Sequence, residues 1–353
     1  MKKFISLFLC LIFLLIAGCS SPKTEIVQDH NNNYSSSDID EDGNIISNQK
    51  PLTSENDSIF ETPSSEIIFS EKSTNLVVHF IDCGNADCTF IELPNKKTML
   101  IDAGNNEDGE DICSYIKSLK YSKIDYLIGT HPHEDHIGGL DDVIETFDIG
   151  NIYLPRIPNS YVPSTKTYKD VLLAIADKNL SITSPTAKQQ IVCEKNLTIE
   201  VLNDISNVVS ENMNDYSLVI KITHKNNTFM LCADAEEKTE KEIMKRYEKS
   251  YLQCDVLKIG HHGSITSTSK NWLKTVSPTC VFIPCGTKNE YGHPHNEILQ
   301  RINQSGIKCY RADIDGTVIL KSDGENLKIQ TKMTGDFPLG SSKWSPSMIK
   351  AGS

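Results

Sequence analysis

The feature that most restricts this chain is the run Thr130-His131-Pro132-His133-Glu134-Asp135-His136-Ile137-Gly138-Gly139, which directly follows the apolar stretch 124–128. A short apolar run of this kind reads as a buried strand, so the His-rich segment is a loop at a strand end. His131, His133, Asp135 and His136 crowd into one turn of chain, in a sequence with 10 His in all. Imidazole nitrogens and a carboxylate so close together suit a zinc, manganese or iron ion, and the carboxylate can equally serve as a base. The alternative is a solvated polar loop that happens to be rich in His; the clustering of three of the ten argues against it. Pro132 stiffens the loop, and Gly138-Gly139 predicts a sharp entry into the next helix.

Around this loop the pattern alternates. Strands are predicted at 76–81, 88–93, 97–101, 124–128 and 151–154, with helices at 112–119 and 140–147. Further strands are predicted at 197–201, 218–222, 228–231, 256–259, 281–283, 318–321 and 327–330, with helices at 236–249 and 296–303. Strands and helices at this rhythm indicate a layered α/β fold. Residues 75–330 read as one domain without internal repeats. Residues 20–74, rich in Ser, Asn and acidic side chains, read as a disordered spacer, and 331–353 as a polar tail.

The N-terminus reads as an address. Lys2 and Lys3 precede an almost wholly apolar run, 4–17, too short to span a bilayer comfortably and suited to a signal-peptide core. It ends in Ile16-Ala17-Gly18-Cys19, which resembles a bacterial lipobox. The expectation is cleavage before Cys19, lipidation of its thiol, and a mature chain tethered outside the cytoplasmic membrane. An ordinary secretory peptide with an incidental Cys is the other reading. Of the 11 Cys, Cys10 and Cys19 lie in this leader. Cys193, Cys232 and Cys280 sit in apolar runs and read as small core residues. The formal net charge is -12, which argues against broad, charge-driven affinity for nucleic acid but not against a nucleic-acid substrate in a metal-lined cleft.

The His-x-His-x-Asp-His run after a strand resembles the metallo-β-lactamase superfamily. Val78-His79-Phe80-Ile81-Asp82-Cys83-Gly84-Asn85-Ala86-Asp87-Cys88 and Met99-Leu100-Ile101-Asp102-Ala103-Gly104 look like the opening of the hydrolase domain of ComEC-type competence proteins. So do Asn214-Asp215-Tyr216-Ser217-Leu218-Val219, Leu257-Lys258-Ile259-Gly260-His261-His262-Gly263-Ser264 and Tyr291-Gly292-His293-Pro294-His295. The resemblance covers roughly 75–330. It implies an αββα sandwich with two divalent metal ions, zinc first among the candidates, at one edge. Ala86 and Cys88 replace the Gly and Ser usual in the opening loop, and Ala233 replaces the Gly usual before the acid Asp234.

The resemblance implies these roles. His131 and His133 hold one metal, Asp135 and His136 the other, and Asp234 bridges them. His261 and His262 complete the shells; adjacent side chains point different ways, so one binds metal and the other packs or meets substrate. His293 completes a ligand set or donates a proton to a leaving group, and His295 is a lesser candidate. Asp135 also counts as catalytic. Asp87, Asp102 and Asn214 support the ligands from behind. Asp234 alternatively caps the helix near Glu236. Many superfamily members carry a further His before the strand leading to the bridging acid; 212–217 has none, so a ligand must come from His262, His293, Asn214 or Asp215. The implied reaction is hydrolysis of a phosphodiester, in a small molecule, a cell-wall polymer or DNA, with β-lactam or lactone hydrolysis, or a non-catalytic DNA-binding lipoprotein, as alternatives.

Overall fold

The computed structural model describes residues 75–287 and 289–331. The lipobox Cys19, the spacer 20–74 and all but the first residue of the tail lie outside the described residues.

Two sheets form the centre of the molecule. The first runs β15(Leu327–Gln330), β14(Val318–Ser322), β1(Leu76–Phe80), β2(Thr89–Glu92), β3(Thr98–Ile101), β4(Lys123–Ile128), β5(Asp148–Tyr153), β6(Ile182–Thr183). The second runs β13(Lys308–Arg311), β12(Cys280–Ile283), β11(Val256–Lys258), β10(Asn227–Leu231), β9(Ile220–His224), β8(Leu197–Val201), β7(Gln190–Glu194). In each sheet a meander of antiparallel strands passes into parallel strands, at β3–β4–β5 and at β10–β11–β12–β13.

Strand periodicity explains how the sheets stack. Alternate side chains point to opposite faces. Val78, Ile91, Met99 and Ile101 of the first sheet meet Ile199, Ile220, Phe229 and Val256 of the second in one shared core. The other face of the first sheet, with Phe90, Leu100 and Leu127, packs on α1(Gly109–Ser118), the short α2(Glu134–Ile137), α3(Leu140–Thr146) and α4(Lys166–Asp177). The other face of the second sheet, with Met230, Leu257 and Val281, packs on α5(Glu237–Arg246), α6(Lys249–Leu252), α7(Lys270–Val276) and α8(Asn296–Gln304). Three core layers between four structural layers make the expected αββα sandwich.

Some expectations need correction. Cys193 is exposed rather than in the core; Cys232 and Cys280 are buried as expected. All nine cysteines of the described residues are free. The predicted helix 236–249 ends at Arg246, because Tyr247 turns extended, and resumes as α6. Gly138 and Gly139 both have negative φ, so they are not there for dihedral freedom. A Cβ on Gly138 would stand 2.2 Å from the Asn105 carbonyl carbon, and one on Gly139 2.6 Å from the Ala103 oxygen. These glycines let the His-rich loop lie directly on the backbone that follows β3.

Candidate metal centre

The site assembles where the loops after β4, β10 and β11 meet. After β4, His131 and His133 lie on the loop, while Asp135 and His136 belong to α2. The loop is pinned by its own backbone: Asp87 N–H donates to the Asp135 carbonyl at 2.9 Å, and Ala103 N–H to that of His136 at 2.7 Å. After β10, Cys232 and Ala233 lead to Asp234. Ala233 has φ +45, a left-handed conformation that glycine adopts at less cost, where the resemblance leads one to expect glycine. The N-cap of α5 is Glu236, so Asp234 is not spent on capping.

His261 and His262 lie not at the strand end but in a 3-10 turn beyond β11, with φ of +50 and +51. This turn parts the two rings. His262 is buried, whereas His261 keeps 22% of its side chain exposed.

The two oxygens of Asp234 face different partners. Oδ1 is 3.1 Å from His136 Nε2 and 3.5 Å from His262 Nε2, which in turn is 3.2 Å from Asp135 Oδ2. Oδ2 is 3.8 Å from His131 Nε2 and 3.6 Å from His261 Nε2. Asp135, His136, Asp234 and His262 thus form one candidate ligand group, and His131, His133 and Asp234 another. Ligands about 2.1 Å from a tetrahedral zinc stand roughly 3.4 Å from one another, which the first group matches. His136 Nε2, Asp234 Oδ1 and His262 Nε2 are buried without a hydrogen bond of proper geometry despite their closeness. Atoms that converge on one point instead of on each other fit a shared cation.

The rings are oriented from behind. His136 Nδ1 donates to Asp102 Oδ2 at 2.8 Å, and Asp102 also accepts from the Thr130 N–H and hydroxyl, each at 2.7 Å. His262 Nδ1 donates to the Pro284 carbonyl at 2.9 Å. Each ring therefore turns Nε2 toward Asp234. Asp87 stands 3.6 Å from His136 Nδ1 and pairs with the buried Lys258. Asn214 reaches His261 Nδ1 at 3.5 Å.

Electrostatics point the same way. Burial lowers the proton affinity of His136, but Asp234, Asp87 and Asp102 outweigh it and raise the ring well above its usual range. His262 is raised on the same balance, chiefly by Asp234 and Asp135. Burial alone would raise Asp234; His136 and His262 instead hold it well below the usual carboxylate range. His131, with burial dominant and His136 beside it, is driven low. The carboxylates thus draw positive charge into the site, and protons or divalent cations can supply it.

His293 stands farther out. Its ring lies 5.5 Å from that of His261 and 6.3 Å from that of His262, and its Nδ1 is buried without a partner. Burial first, then the neighbouring imidazoles, push it down to about 4, so it is a neutral ring near neutral pH. His295 Nδ1 accepts from the Ile265 N–H at 3.0 Å and has a structural partner. Asp215 pairs with Lys238, away from the ligand groups. Thr130, Pro284 and Lys258 are contributors not singled out from the sequence. Only Lys258 carries a signal there, as a lone charge inside the apolar run 256–259.

The sequence is similar to ComE operon protein 3 of Bacillus subtilis (strain 168), 27% identical over 259 residues, which cover 68% of this chain and 32% of that protein. It is 28% identical over 266 residues to Recombination protein 2 of Haemophilus influenzae, covering 74% of this chain and 31% of that one. The chain thus spans about a third of the length of these curated relatives. Among solved structures, Igni18, a metallo hydrolase from Ignicoccus hospitalis KIN4/I, aligns with a TM-score of 0.44 and 15% identity over 69% of this chain and 98% of that one. The sequence model of the metallo-beta-lactamase superfamily matches residues 81–286, which include both candidate ligand groups. With its two-sheet sandwich and the His-rich loop after β4, the chain belongs to the metallo-β-lactamase superfamily.

Proposed function

We propose that this chain is a binuclear metal-dependent phosphodiesterase. The observation that carries the reading is Asp234, whose Oδ1 serves the His136–His262 group while Oδ2 faces His131. Two divalent ions held there would supply Lewis acidity and lower the pKa of a water molecule, so no nucleophilic Ser or Cys is required. His131 and His133 would hold one ion, Asp135, His136 and His262 the other, with Asp234 between them. Of the four residues that could make good the ligand missing from 212–217, His262 is the one that stands in a ligand group, and His261 Nε2 also approaches Asp234 Oδ2 at 3.6 Å. The neutral His293, set at the outer edge of the imidazole cluster, offers a lone pair and an N–H to a substrate oxygen. Phosphodiester chemistry is preferred to β-lactam opening because the similarity runs to competence and recombination proteins. Zinc is the first candidate metal, with manganese and iron behind it.

In this reading the enzyme works outside the cell membrane, held by lipid on Cys19, where DNA or cell-wall phosphodiesters are within reach. Substitution Cys19→Ala should release it from the membrane fraction; unchanged partition would contradict the anchor. The activity is tested with the full chain reconstituted with zinc or manganese, on bis-p-nitrophenyl phosphate, single-stranded DNA and nitrocefin. Phosphodiester cleavage that Asp135→Ala, His136→Ala abolishes supports the reading. Nitrocefin turnover alone, or no turnover of any of the three, contradicts it.

A further inference from the structure

Lys258 ends β11 and is only 4% exposed, with its ammonium in contact with Asp87 Oδ2. Its neighbour Leu257 faces the helices over the second sheet, whereas Val256 packs in the core between the sheets, so strand alternation sends Lys258 into that inner space. There it lines a small cavity, with room for about one water, together with Asp87, Asp102 and Thr130. An ammonium buried in such a place costs several kcal/mol unless it is paired. Asp87 comes from the loop before β2 in the first sheet, so the pair crosses between the sheets directly behind the ligands.

Both partners are tied to ligand loops. Asp87 N–H donates to the Asp135 carbonyl at 2.9 Å, and the Asp87 carbonyl accepts from Gly104 N–H at 2.9 Å. Lys258 is followed by Ile259 and Gly260, which lead straight into His261 and His262. The Asp87 carboxylate also lies 3.6 Å from His136 Nδ1 and 3.7 Å from His262 Nδ1, beyond hydrogen-bond reach. Those nitrogens donate instead to Asp102 and to Pro284. An uncompensated Asp87 would compete for both.

We infer that Lys258 is a positioning residue of the metal centre: its ion pair with Asp87 joins the ligand loops of the two sheets and keeps the His136 and His262 rings turned toward Asp234. This rests on the reading of the site as a two-metal centre. It has a sign that simple charge repulsion does not share. Removing a nearby ammonium should tighten cation binding by Coulomb's law; losing the positioning should weaken it. The weakening should fall on the Asp135–His136–His262 group, which Asp87 contacts, and spare the His131–His133 group.

The test is stepwise cobalt and zinc binding to the full chain, read by calorimetry and by the visible spectrum of the cobalt form, for wild type, Lys258→Met and Lys258→Arg. The expected result for Lys258→Met is a 10–100-fold loss at the tighter step, with a shifted cobalt spectrum, little change at the weaker step, and recovery in Lys258→Arg. If Lys258→Met does not fold, the neutral pair Asp87→Asn, Lys258→Met replaces it, with the same selective loss expected. Unchanged affinities, tighter binding, or equal losses at both steps would overturn the inference while leaving the two-metal reading in place. A wild-type chain that binds no metal would overturn both.

Discussion

The two ligand groups that share Asp234 are built differently. In the Asp135–His136–His262 group both rings are fixed from behind, by Asp102 at 2.8 Å and by the Pro284 carbonyl at 2.9 Å, and both present Nε2 forward. In the other group His131 Nε2 and His133 Nδ1 face each other at 3.0 Å. That contact needs a proton between the nitrogens, which a metal must displace. His131 Nδ1 has only a 3.2 Å contact with Thr130 Oγ1 behind it, and His133 is partly exposed. In the first group an ion has only to replace protons on rings already held in place, while in the second the two rings must also part. A preorganised ligand set binds more tightly than one that has to rearrange, so the two sites should fill in order.

The strongest way to break this comparison is to remove what the groups share. Asp234→Ala should abolish stoichiometric binding at both sites and lower phosphodiester turnover by on the order of 10³-fold; retention of either ion, seen by elemental analysis, would refute the shared role. Next in size is the contrast between the groups. His262→Ala should remove the tighter binding step, and His133→Ala only the weaker one, in calorimetric titrations. Equal losses would mean that the groups do not differ as described.

Removing support rather than a ligand should do less. Asp102→Asn leaves His136 in place but weakens its orientation, and should reduce affinity at the tighter step by about 10–100-fold. Turnover at saturating metal should recover if the effect acts only through the ring.

A buried carboxylate that belongs to neither ligand group sharpens the electrostatic side. Where imidazoles hold Asp234 low, burial pushes Glu240 on α5 up to about 7 despite hydrogen bonds from Ser269. Its folded pKa lies above its usual 4.5, so the folded state binds the extra proton. Its contribution to stability is full below about pH 4.5 and is lost as pH rises through about 7. Glu240→Gln should therefore flatten the decline over that window, by on the order of 2 kcal/mol, in denaturant melts of chelated protein. An unchanged pH profile would contradict the burial effect.

The smallest effect expected is at Ala233, whose φ of +45 is easier for glycine. Ala233→Gly should relax the turn before Asp234 and raise stability by about 1 kcal/mol, without altering metal stoichiometry. A loss of stability would mean that the turn is not strained.

The same asymmetry explains what was legible in the sequence. His131, His133, Asp135 and His136 are contiguous, so their pattern survives without three-dimensional information. Asp234, His261 and His262 come from separate loops of the second sheet, and only the family resemblance joined them to the first four. Glycines 138 and 139 were visible, but their reason, close contact with the backbone after β3, depends on a distant segment. Strand β13, Lys-Cys-Tyr-Arg, carries no apolar pattern of its own, because three of its four side chains are not buried and its strand character comes from parallel pairing with β12. Helix α4, absent from the predicted elements, does carry a signal: Val171, Ala174 and Ile175 lie at helical spacing and Thr165 caps it. The role of Lys258 is not legible in the sequence, because its partner Asp87 comes from a loop of the other sheet.

The two-metal centre is tested most directly by a metal titration of the full chain, stripped with chelator and followed by calorimetry with zinc near neutral pH. The expected result is two ions per chain in two resolved steps, the first tighter, with both steps lost in Asp234→Ala. Binding of a single ion, or of two ions in one indistinguishable step that survives Asp234→Ala, would contradict it.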